Sequence, residues 1–366
     1  MFESVEYQSA ACAQRIPGHF SWTRLGKVSK QESIECGEYS SMAKADLTIA
    51  LSHYDRHIPL FDGSIQVQGA NMTVLEVGQS HPLKHGQDRH ERMLQKQEFD
   101  ICELSLSSYL MAKSRGLPFT AIPVFPRRLF SLSQMWVNVD AGISSPADLT
   151  DKRVGLSTFQ TTLSVLAKGD LQSEYNVPWR KIDWVVSKEE AVAFKPEAGV
   201  RIELLAPGKK ISVLLEQGEI DALMVPHPPA EALAGSKKIR RLFPDPKQEE
   251  VKYFQKNGYY PIMHVVAFRD DVLKRDPALA ENVMRAFDQA KHACKAYYDD
   301  PNWSRFVWGR HLFEEERKLF GDDPWPHGVE KNRANLERFI DYSKDQGLLA
   351  KKLAVDELFA GTTLDS

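Results

Sequence analysis

Short apolar strands alternate with helical stretches along most of this 366-residue chain, and this alternation restricts the fold more than any other feature. The first series has predicted strands at 46–51, 72–77 and 99–105, a helix at 88–97, and a fourth apolar run at 119–124. Strands that alternate with helices form a mostly parallel sheet with helices on its faces. We therefore expect an α/β domain in this part of the chain.

A second series of the same kind begins after residue 139. It combines predicted helices at 145–149, 160–174 and 211–215 with predicted strands at 153–157, 182–186, 200–205 and 222–225. The chain then returns to the first unit with a strand at 260–268 and a helix at 277–299, followed by helical sequence at 303–320, 328–346 and 350–360. The return predicts two lobes between which the chain passes twice.

Two α/β lobes joined in this way are typical of type II periplasmic binding proteins, in which the ligand lies in the cleft between the lobes. We predict an α/β, two-lobe, type II periplasmic-binding-protein-like fold with C-terminal helices. The expected division is an irregular N-terminal extension at 1–43, a first lobe formed by 44–136 and 259–366, and a second lobe at 137–258.

The composition is that of an ordinary globular protein. Apolar residues make up 42% and charged residues 27%, and the net charge of -3 gives no indication of nucleic-acid binding. No apolar run approaches the roughly 20 residues of a membrane-spanning helix. The first residues show no secretory pattern, and the four cysteines are scattered. We expect a cytoplasmic protein with no membrane partner, and leave open whether it forms a homo-oligomer.

The segment 98–110 predicts a strand, a hydroxyl-rich turn and a helix, with Ser107 as the N-cap of that helix. The free N–H groups at a helix N-terminus form a ready anion site. Ser105, Ser107 and Ser108 can add hydroxyl groups to it, although one of them can equally serve only as a helix cap. The segment therefore predicts where a small molecule with a carboxylate binds.

Several short motifs resemble 4,5-dihydroxyphthalate decarboxylase and its relatives, in the same order over roughly residues 46–300. In chain order they are Tyr54-Asp55-Arg56, Glu98-Phe99-Asp100, Ser105-Leu106-Ser107-Ser108-Tyr109-Leu110, Ala121-Ile122-Pro123-Val124-Phe125-Pro126 with Arg128, Lys152-Arg153-Val154-Gly155, Gly218-Glu219-Ile220-Asp221-Ala222-Leu223, Arg241-Leu242-Phe243-Pro244 and Pro261-Ile262-Met263-His264. The resemblance implies a decarboxylase on the two-lobe fold that acts on a hydroxylated aromatic carboxylic acid. It implies no cofactor and leaves a divalent metal open.

Such a reaction needs a proton donor for the ring carbon and cations for the carboxylates. His264 is the predicted general acid, because imidazole titrates near neutral pH. Arg128 is the predicted carboxylate clamp, because a guanidinium group fits a carboxylate through two hydrogen bonds. Glu103 is predicted to be a pKa-shifted acid or an arginine partner, since a buried carboxylate is costly unless paired. The structural alternatives are a core histidine, a surface arginine and an edge-strand glutamate.

Further substrate contacts are expected from both lobes. Tyr54-Asp55-Arg56 follows the first strand, and its arginine is a candidate for a second carboxylate, oriented by the aspartate. Thr158, Gln160 and Thr161 begin the first helix of the second lobe, whose N-terminal amides are predicted to face the cleft. A structural Asp–Arg pair and a polar helix start are the alternatives.

Departures from the family pattern concern specificity. Ser131-Leu132 replace a frequent Arg-His pair, and His90 stands where many members have an aromatic residue. His81, His85 and His90 suggest a metal site, but no well-placed carboxylate completes a known pattern, so we predict none.

Two other functions compete with a decarboxylase. A non-catalytic cytosolic protein that binds small anions is the main alternative, because fold does not determine function. A pyrimidine-precursor synthase of the thiamine pathway is less favoured, because this chain lacks clustered cysteines.

Overall fold

A computed structural model describes residues 44–78 and 88–366 of the chain. The predicted extension at 1–43 lies outside these residues. The strands are β1 Ala45–Leu51, β2 Ala70–Glu76, β3 Ile101–Ser105, β4 Phe119–Ile122, β5 Met135–Asn138, β6 Arg153–Leu156, β7 Asp183–Val186, β8 Ile202–Leu204, β9 Ala222–Met224, β10 Ile239–Arg241 and β11 His264–Arg269. The α-helices are α1 Ile58–Phe61, α2 Arg89–Lys96, α3 Leu106–Ser114, α4 Thr162–Tyr175, α5 Ile211–Gln217, α6 Ala230–Leu233, α7 Pro246–Asn257, α8 Asp270–Arg275, α9 Leu279–Tyr297, α10 Gly309–Phe320 and α11 Arg333–Asp345.

The strands form two sheets, one in each lobe. The first has the order β2-β1-β3-β11-β4 and the second the order β10-β5-β9-β6-β7-β8. β1 runs parallel to β2 and β3, whereas β11 is antiparallel to β3 and β4. Because β11 lies inside the first sheet although it follows β10 in the chain, the polypeptide passes to the second lobe and back. The predicted two-lobe α/β fold is confirmed.

The centre of the first sheet is buried. All five residues of β3 are buried, and so are the first five of β11. A strand covered on both faces is expected to be apolar throughout, yet β3 carries Glu103 and Ser105, and β11 begins with His264. Polar groups in such a position need hydrogen-bond partners. The buried polar residues in the middle of this sheet therefore indicate a functional site.

The boundary between the lobes differs from the sequence-based prediction, and so do several elements that the sequence patterns do not predict, namely α1, α6, α7, α8 and β10. Met135 and Trp136 already belong to β5 of the second sheet, so a first lobe that extends to residue 136 is two residues too long. Helix α7 was not predicted, although its start and end signals are present. Asp245 caps its N-terminus, proline occupies its first position, and Gly258 ends it with φ 76°.

Two C-terminal stretches that were predicted as helices are not helical throughout. Residues 303–308 precede α10, and in this stretch Ser304 accepts the Phe306 N–H through its hydroxyl, a local bond that competes with helix formation. The stretch 350–360 contains one 3₁₀ turn, and its end pairs with β4 at Ala121 and Phe359. Among the residues that the structure describes, no helix has the length and apolar character needed to span a membrane.

The C-terminal helix α11 contacts both lobes. The Asn335 side chain accepts the N–H of Ile262 in the first lobe at 2.9 Å. On the other side, Tyr342 packs against α4 of the second lobe at Gly169, where an added Cβ would lie 2.1 Å from the Tyr342 Cδ2 atom. Part of 259–366 therefore packs on the second lobe as well, because the missing side chain at Gly169 lets the two helices approach closely.

Gly169→Ala is expected to destabilise the protein by about 1–3 kcal/mol, because the methyl group displaces the Tyr342 ring. Alanine otherwise favours a helix over glycine by roughly 0.5–1 kcal/mol, so a loss of stability identifies the packing contact. The free energy of unfolding in urea measures it. Gly361→Ala is the control, because no heavy atom lies within 4 Å of its Cβ position. A Gly169→Ala variant as stable as the parent would contradict the packing.

Candidate active site

A cavity of about 250 Å³ lies between the two lobes. Drug-sized ligands occupy roughly 300–1,000 Å³, so this cavity suits a molecule with one aromatic ring. Six residues that the sequence predicted for the site line it, namely Ser105, Ser108, Thr158, Gln160, Thr161 and His264. The prediction that both lobes contribute to the site agrees with this arrangement.

Sheet register positions the first-lobe side of the cavity. In the antiparallel pair of β3 and β11, His264 is opposite Ser105, and Val266 is opposite Glu103. Opposed residues point to the same face of a sheet, as do residues two apart on a strand. Glu103, Ser105 and His264 therefore share one face, at the end of the sheet nearest the second lobe.

Helix α3 begins earlier than predicted. Its N-cap is Ser105 rather than Ser107. The N–H of Leu106 donates to the Met263 carbonyl at 2.9 Å, and the N–H of Ser107 donates to the Thr162 hydroxyl at 3.1 Å. The Thr162 hydroxyl also lies 2.9 Å from the Ser105 hydroxyl. The second lobe thus caps this helix, and Ser107 is fully buried outside the cavity lining.

Glu103 is fully buried and its carboxylate has several partners. One oxygen lies 2.7 Å from Arg89 Nη2 and 2.5 Å from His264 Nδ1, and it also accepts the Tyr54 hydroxyl at 3.4 Å. The other oxygen accepts the Ser52 N–H at 2.9 Å. Such pairing is what makes a buried carboxylate tolerable. Arg89 is the arginine partner that the sequence left unidentified.

The surroundings determine the protonation states of Glu103 and His264. Burial would raise the pKa of Glu103, but the Arg89 charge and the His264 hydrogen bond outweigh it and hold that pKa well below its usual range. Burial lowers the pKa of His264 to about 4, against the opposing effect of Glu103. At neutral pH the His264 ring is therefore neutral, with its Nδ1 proton directed to Glu103. Nε2 is then the ring nitrogen left for a bound molecule.

His90 lies next to His264, with the two ring centroids 5.1 Å apart in an edge-to-face arrangement. The Ser105 N–H donates to His90 Nδ1 at 3.2 Å, so the neutral ring carries its proton on Nε2. Burial and the Arg89 charge lower the pKa of His90 well below its ordinary value, which favours that neutral form. Its Nε2 is buried and has no acceptor among the described residues.

The start of α4 forms the opposite wall. Glu190 accepts the N–H groups of Phe159 at 2.5 Å and of Gln160 at 3.1 Å. The Gln160 side chain is also occupied, because it exchanges two hydrogen bonds with the backbone of Val192. Gln160 therefore shapes the wall through structural contacts. Thr161, which precedes the helix as its N-cap, also lines the cavity.

The arginine at the cavity is Arg127, not the predicted Arg128. The Arg128 guanidinium is buried and donates to the Tyr260 carbonyl at 2.7 Å and to Asn332 Oδ1 at 2.6 Å. Arg127 is half-buried and lines the cavity, and its carbonyl accepts the His264 N–H at 3.2 Å. Successive side chains of an extended segment point to opposite sides, so only one of the two arginines can face the cleft.

Tyr54-Asp55-Arg56 does not form a second carboxylate site in this cavity. The Tyr54 hydroxyl donates to the Glu103 carboxylate described above, and its ring packs against the Arg56 guanidinium. The other two residues line a separate cavity of about 500 Å³. There the arginine stacks on Trp325 at 3.8 Å from the ring centroid, and the aspartate accepts the Tyr298 hydroxyl. These side chains hold the segment after β1 against the C-terminal part of the chain.

Sequence reasoning does not assign Arg89 or Arg127 to the site, and it names His90 only as a departure from the family pattern that concerns specificity. A signal for burial of Arg89 and His90 exists, because Met93 and Leu94 follow them four residues later and lie on the same helix face. No comparable signal separates Arg127 from its neighbour. Within 44–78 and 88–366, no cluster of three or more His, Cys, Asp or Glu side chains can hold a metal ion. His81 and His85 lie outside these residues.

Two curated proteins resemble the chain over most of their length, whereas no protein-family model matches it. A 4,5-dihydroxyphthalate decarboxylase of Comamonas testosteroni is 32% identical over 334 residues, which cover 89% of this chain and 99% of that protein. A 4,5-dihydroxyphthalate decarboxylase of Pseudomonas putida is 32% identical over 228 residues, which cover 60% of this chain and 84% of that protein.

Solved structures of periplasmic binding proteins share the fold. The aliphatic sulphonate-binding protein of Escherichia coli superposes with a TM-score of 0.52 at 13% identity, covering 88% of this chain and 100% of that one. The alkanesulfonate-binding protein of Xanthomonas axonopodis pv. citri, bound to MOPS, gives a TM-score of 0.52 at 14% identity, covering 88% of this chain and 99% of that one. At such identity the similarity shows the fold alone.

Glu103→Gln is expected to lower the free energy of unfolding by about 3–5 kcal/mol, because it leaves the Arg89 charge buried without its counter-charge. Urea denaturation followed by circular dichroism measures the loss. Glu98→Gln is the matched control, since it removes the partner of Arg92 on the same helix, where the Glu98 side chain is 40% exposed. The control is expected to lose far less. Equal losses would contradict the role of the buried pair.

Proposed function

The chain belongs to the 4,5-dihydroxyphthalate decarboxylase family, a family of carboxy-lyases, and we propose that its substrate is 4,5-dihydroxyphthalate or a closely related hydroxylated aromatic acid. The Glu103–His264 pair supports this proposal most directly. It places an imidazole with a defined tautomer at the wall of a small cavity that also contains an arginine. A proton donor and a carboxylate-binding cation are the two groups that the reaction requires.

In the proposed reaction the bond between the ring carbon and one carboxylate breaks, and carbon dioxide leaves. The electron pair of that bond stays on the ring carbon, which takes a proton from His264 Nε2. A substrate hydroxyl ortho or para to this carbon assists, because its ionisation supplies electrons to the ring. Glu103 holds the opposite ring nitrogen and stabilises the protonated imidazole before transfer. Solvent then restores the proton.

The substrate itself brings His264 into its protonated form. In the free enzyme, burial is the main cause that lowers the pKa of His264, and the charges of Arg127 and Arg89 lower it further. Glu103 raises it, and neutral His90 contacts the ring. A bound dianion opposes both arginine charges, so it raises the pKa of His264 and favours uptake of a proton. The acid is thereby formed only when substrate occupies the cavity.

Arg127 is proposed to hold the carboxylate that the substrate retains. The Arg127 side chain lines the cavity. Its backbone carbonyl accepts the N–H of His264, which keeps the backbones of the two residues adjacent. A contact with a group that does not react is equally strong in the ground state and the transition state, so it contributes mainly to binding.

Purified protein is expected to release carbon dioxide from 4,5-dihydroxyphthalate, and His264→Asn is expected to lose about 100-fold or more of the turnover. Asparagine keeps an N–H for Glu103 and removes the second ring nitrogen. Carbon dioxide release across hydroxylated benzoates and phthalates, with and without chelator, measures activity and any metal requirement. Tight binding of these acids without product would favour a non-catalytic binding protein. Normal turnover in a folded His264→Asn variant would exclude this residue as the acid.

The pH dependence provides a control on the same acid. The pKa of His264 in the free enzyme is about 4, so the protonated fraction falls as the pH rises above that value. Between pH 5 and 8, kcat/KM is expected to decline by about tenfold per pH unit, whereas kcat declines only at higher pH because it reports the complex. A flat kcat/KM over this range would contradict proton donation by His264.

Arg127→Met is expected to raise KM by about tenfold or more with a smaller change in kcat, because it removes a charge-assisted contact to the retained carboxylate. Steady-state kinetics measure both constants. Arg128→Met serves as the sequence neighbour and is expected to destabilise the fold, because it leaves the oxygens of Tyr260 and Asn332 without their donor. An unchanged KM in Arg127→Met would show that this arginine does not contact the substrate.

A further inference from the structure

We infer that His90 determines substrate specificity: its Nε2–H donates a hydrogen bond to the carboxylate that the substrate retains, and so selects ortho-dicarboxylic acids over monocarboxylic acids. The inference rests on the proposed function, because it assigns a second contact to the same bound acid. In this chain His90 is the second residue of α2, and it lies in the wall of the inter-lobe cavity beside the ring of His264.

The hydrogen bond from Ser105 establishes what His90 can offer a ligand. Because the Ser105 N–H donates to Nδ1, that nitrogen carries a lone pair and Nε2 carries the only ring proton. His90 is only 5% exposed, and its Nε2 has no acceptor among the described residues. A buried donor without an acceptor is costly. A ligand that supplies an acceptor at this position removes that cost.

The acceptor must be an oxygen without a competing proton of its own. Carboxylate oxygens accept hydrogen bonds only, whereas a phenol hydroxyl also needs an acceptor for its proton. Arg127 lines the same cavity as His90 and His264, and its backbone carbonyl accepts the His264 N–H. One anionic group in this cavity can therefore take hydrogen bonds from both donors, Arg127 and His90.

The contact between the two imidazoles indicates which carboxylate this is. His264 donates its proton to the carbon that loses carbon dioxide, and His90 is in edge contact with that ring. Neighbouring imidazoles reach substituents on adjacent ring carbons, not on opposite ends of the substrate. The retained carboxylate of a phthalate is on the adjacent carbon, whereas the hydroxyl para to the reacting carbon is across the ring. His90 thus recognises the ortho arrangement.

A purely structural His90 would have one task, to accept the Ser105 N–H. Two substitutions separate this task from ligand binding. His90→Asn keeps an oxygen near the Nδ1 position and loses the distal donor. His90→Gln places an amide N–H near the Nε2 position and loses the acceptor for Ser105. A structural role therefore predicts the larger loss of ligand preference in His90→Gln, whereas ligand recognition predicts the larger loss in His90→Asn.

The experiment measures the affinities of the full-length protein for phthalate and benzoate by titration calorimetry. Both probes lack hydroxyl groups and do not react. The parent is expected to prefer phthalate, His90→Asn to lose about tenfold or more of that preference, and His90→Gln to retain most of it. Thermal unfolding of each variant confirms that it is folded.

An unchanged preference in His90→Asn, or a parent that does not prefer phthalate, would overturn the inference. A larger loss in His90→Gln would also overturn it and assign His90 a structural role. The carbon dioxide assay separates this outcome from failure of the proposed function. Loss of the preference in His90→Asn, together with a parent that releases no carbon dioxide, would support the role of His90 and reject decarboxylation of the tested acids. Turnover of the parent, together with an unaltered preference in His90→Asn, would support decarboxylation and reject the role of His90.

Discussion

A fully buried carboxylate in the middle of a sheet is the constraint around which the first lobe is arranged. Glu103 is stable there because Arg89 from α2, His264 from β11 and the Ser52 N–H after β1 all converge on it. Three separate parts of the chain must meet at one point for this carboxylate to be tolerated. The same convergence gives His264 a defined tautomer and brings it to the cleft. The same carboxylate is therefore part of the structural core and of the proposed catalytic arrangement.

The second lobe complements this charged cluster mainly with hydroxyl groups and backbone amides. Thr162 caps α3 across the cleft, and Glu190 occupies two of the N–H groups before α4. The N-terminal amides before α4 are thus partly occupied by a carboxylate, whereas Arg127 and Lys188 bring positive charge to the cavity. Tyr342 on α11 packs at Gly169 and ties the C-terminal helix to this lobe. These contacts hold a small cavity between the two lobes.

Much of the fold followed from local patterns. The alternation of strands and helices was sufficient to predict two lobes between which the chain passes twice. Short apolar strands separated by helices pack into sheets covered by those helices. The pattern failed where tertiary contacts decided the conformation. Near the C-terminus, Phe359 pairs with β4 instead of continuing a helix. Helix α7 does carry local signals, since Asp245 caps its N-terminus and Gly258 ends it.

The sequence by itself determined the lobes, the family and the identity of His264 and Glu103 as candidates, because strand periodicity and ordered motifs are local properties. Only the tertiary structure decided which of two adjacent arginines faces the cavity. Arg127 faces it, because the Arg128 guanidinium donates its hydrogen bonds to Tyr260 and Asn332. Likewise Arg89 and Arg92 belong to one charged helix, yet only the first is buried. Side-chain direction and burial depend on partners distant in the chain, and no local pattern specifies them.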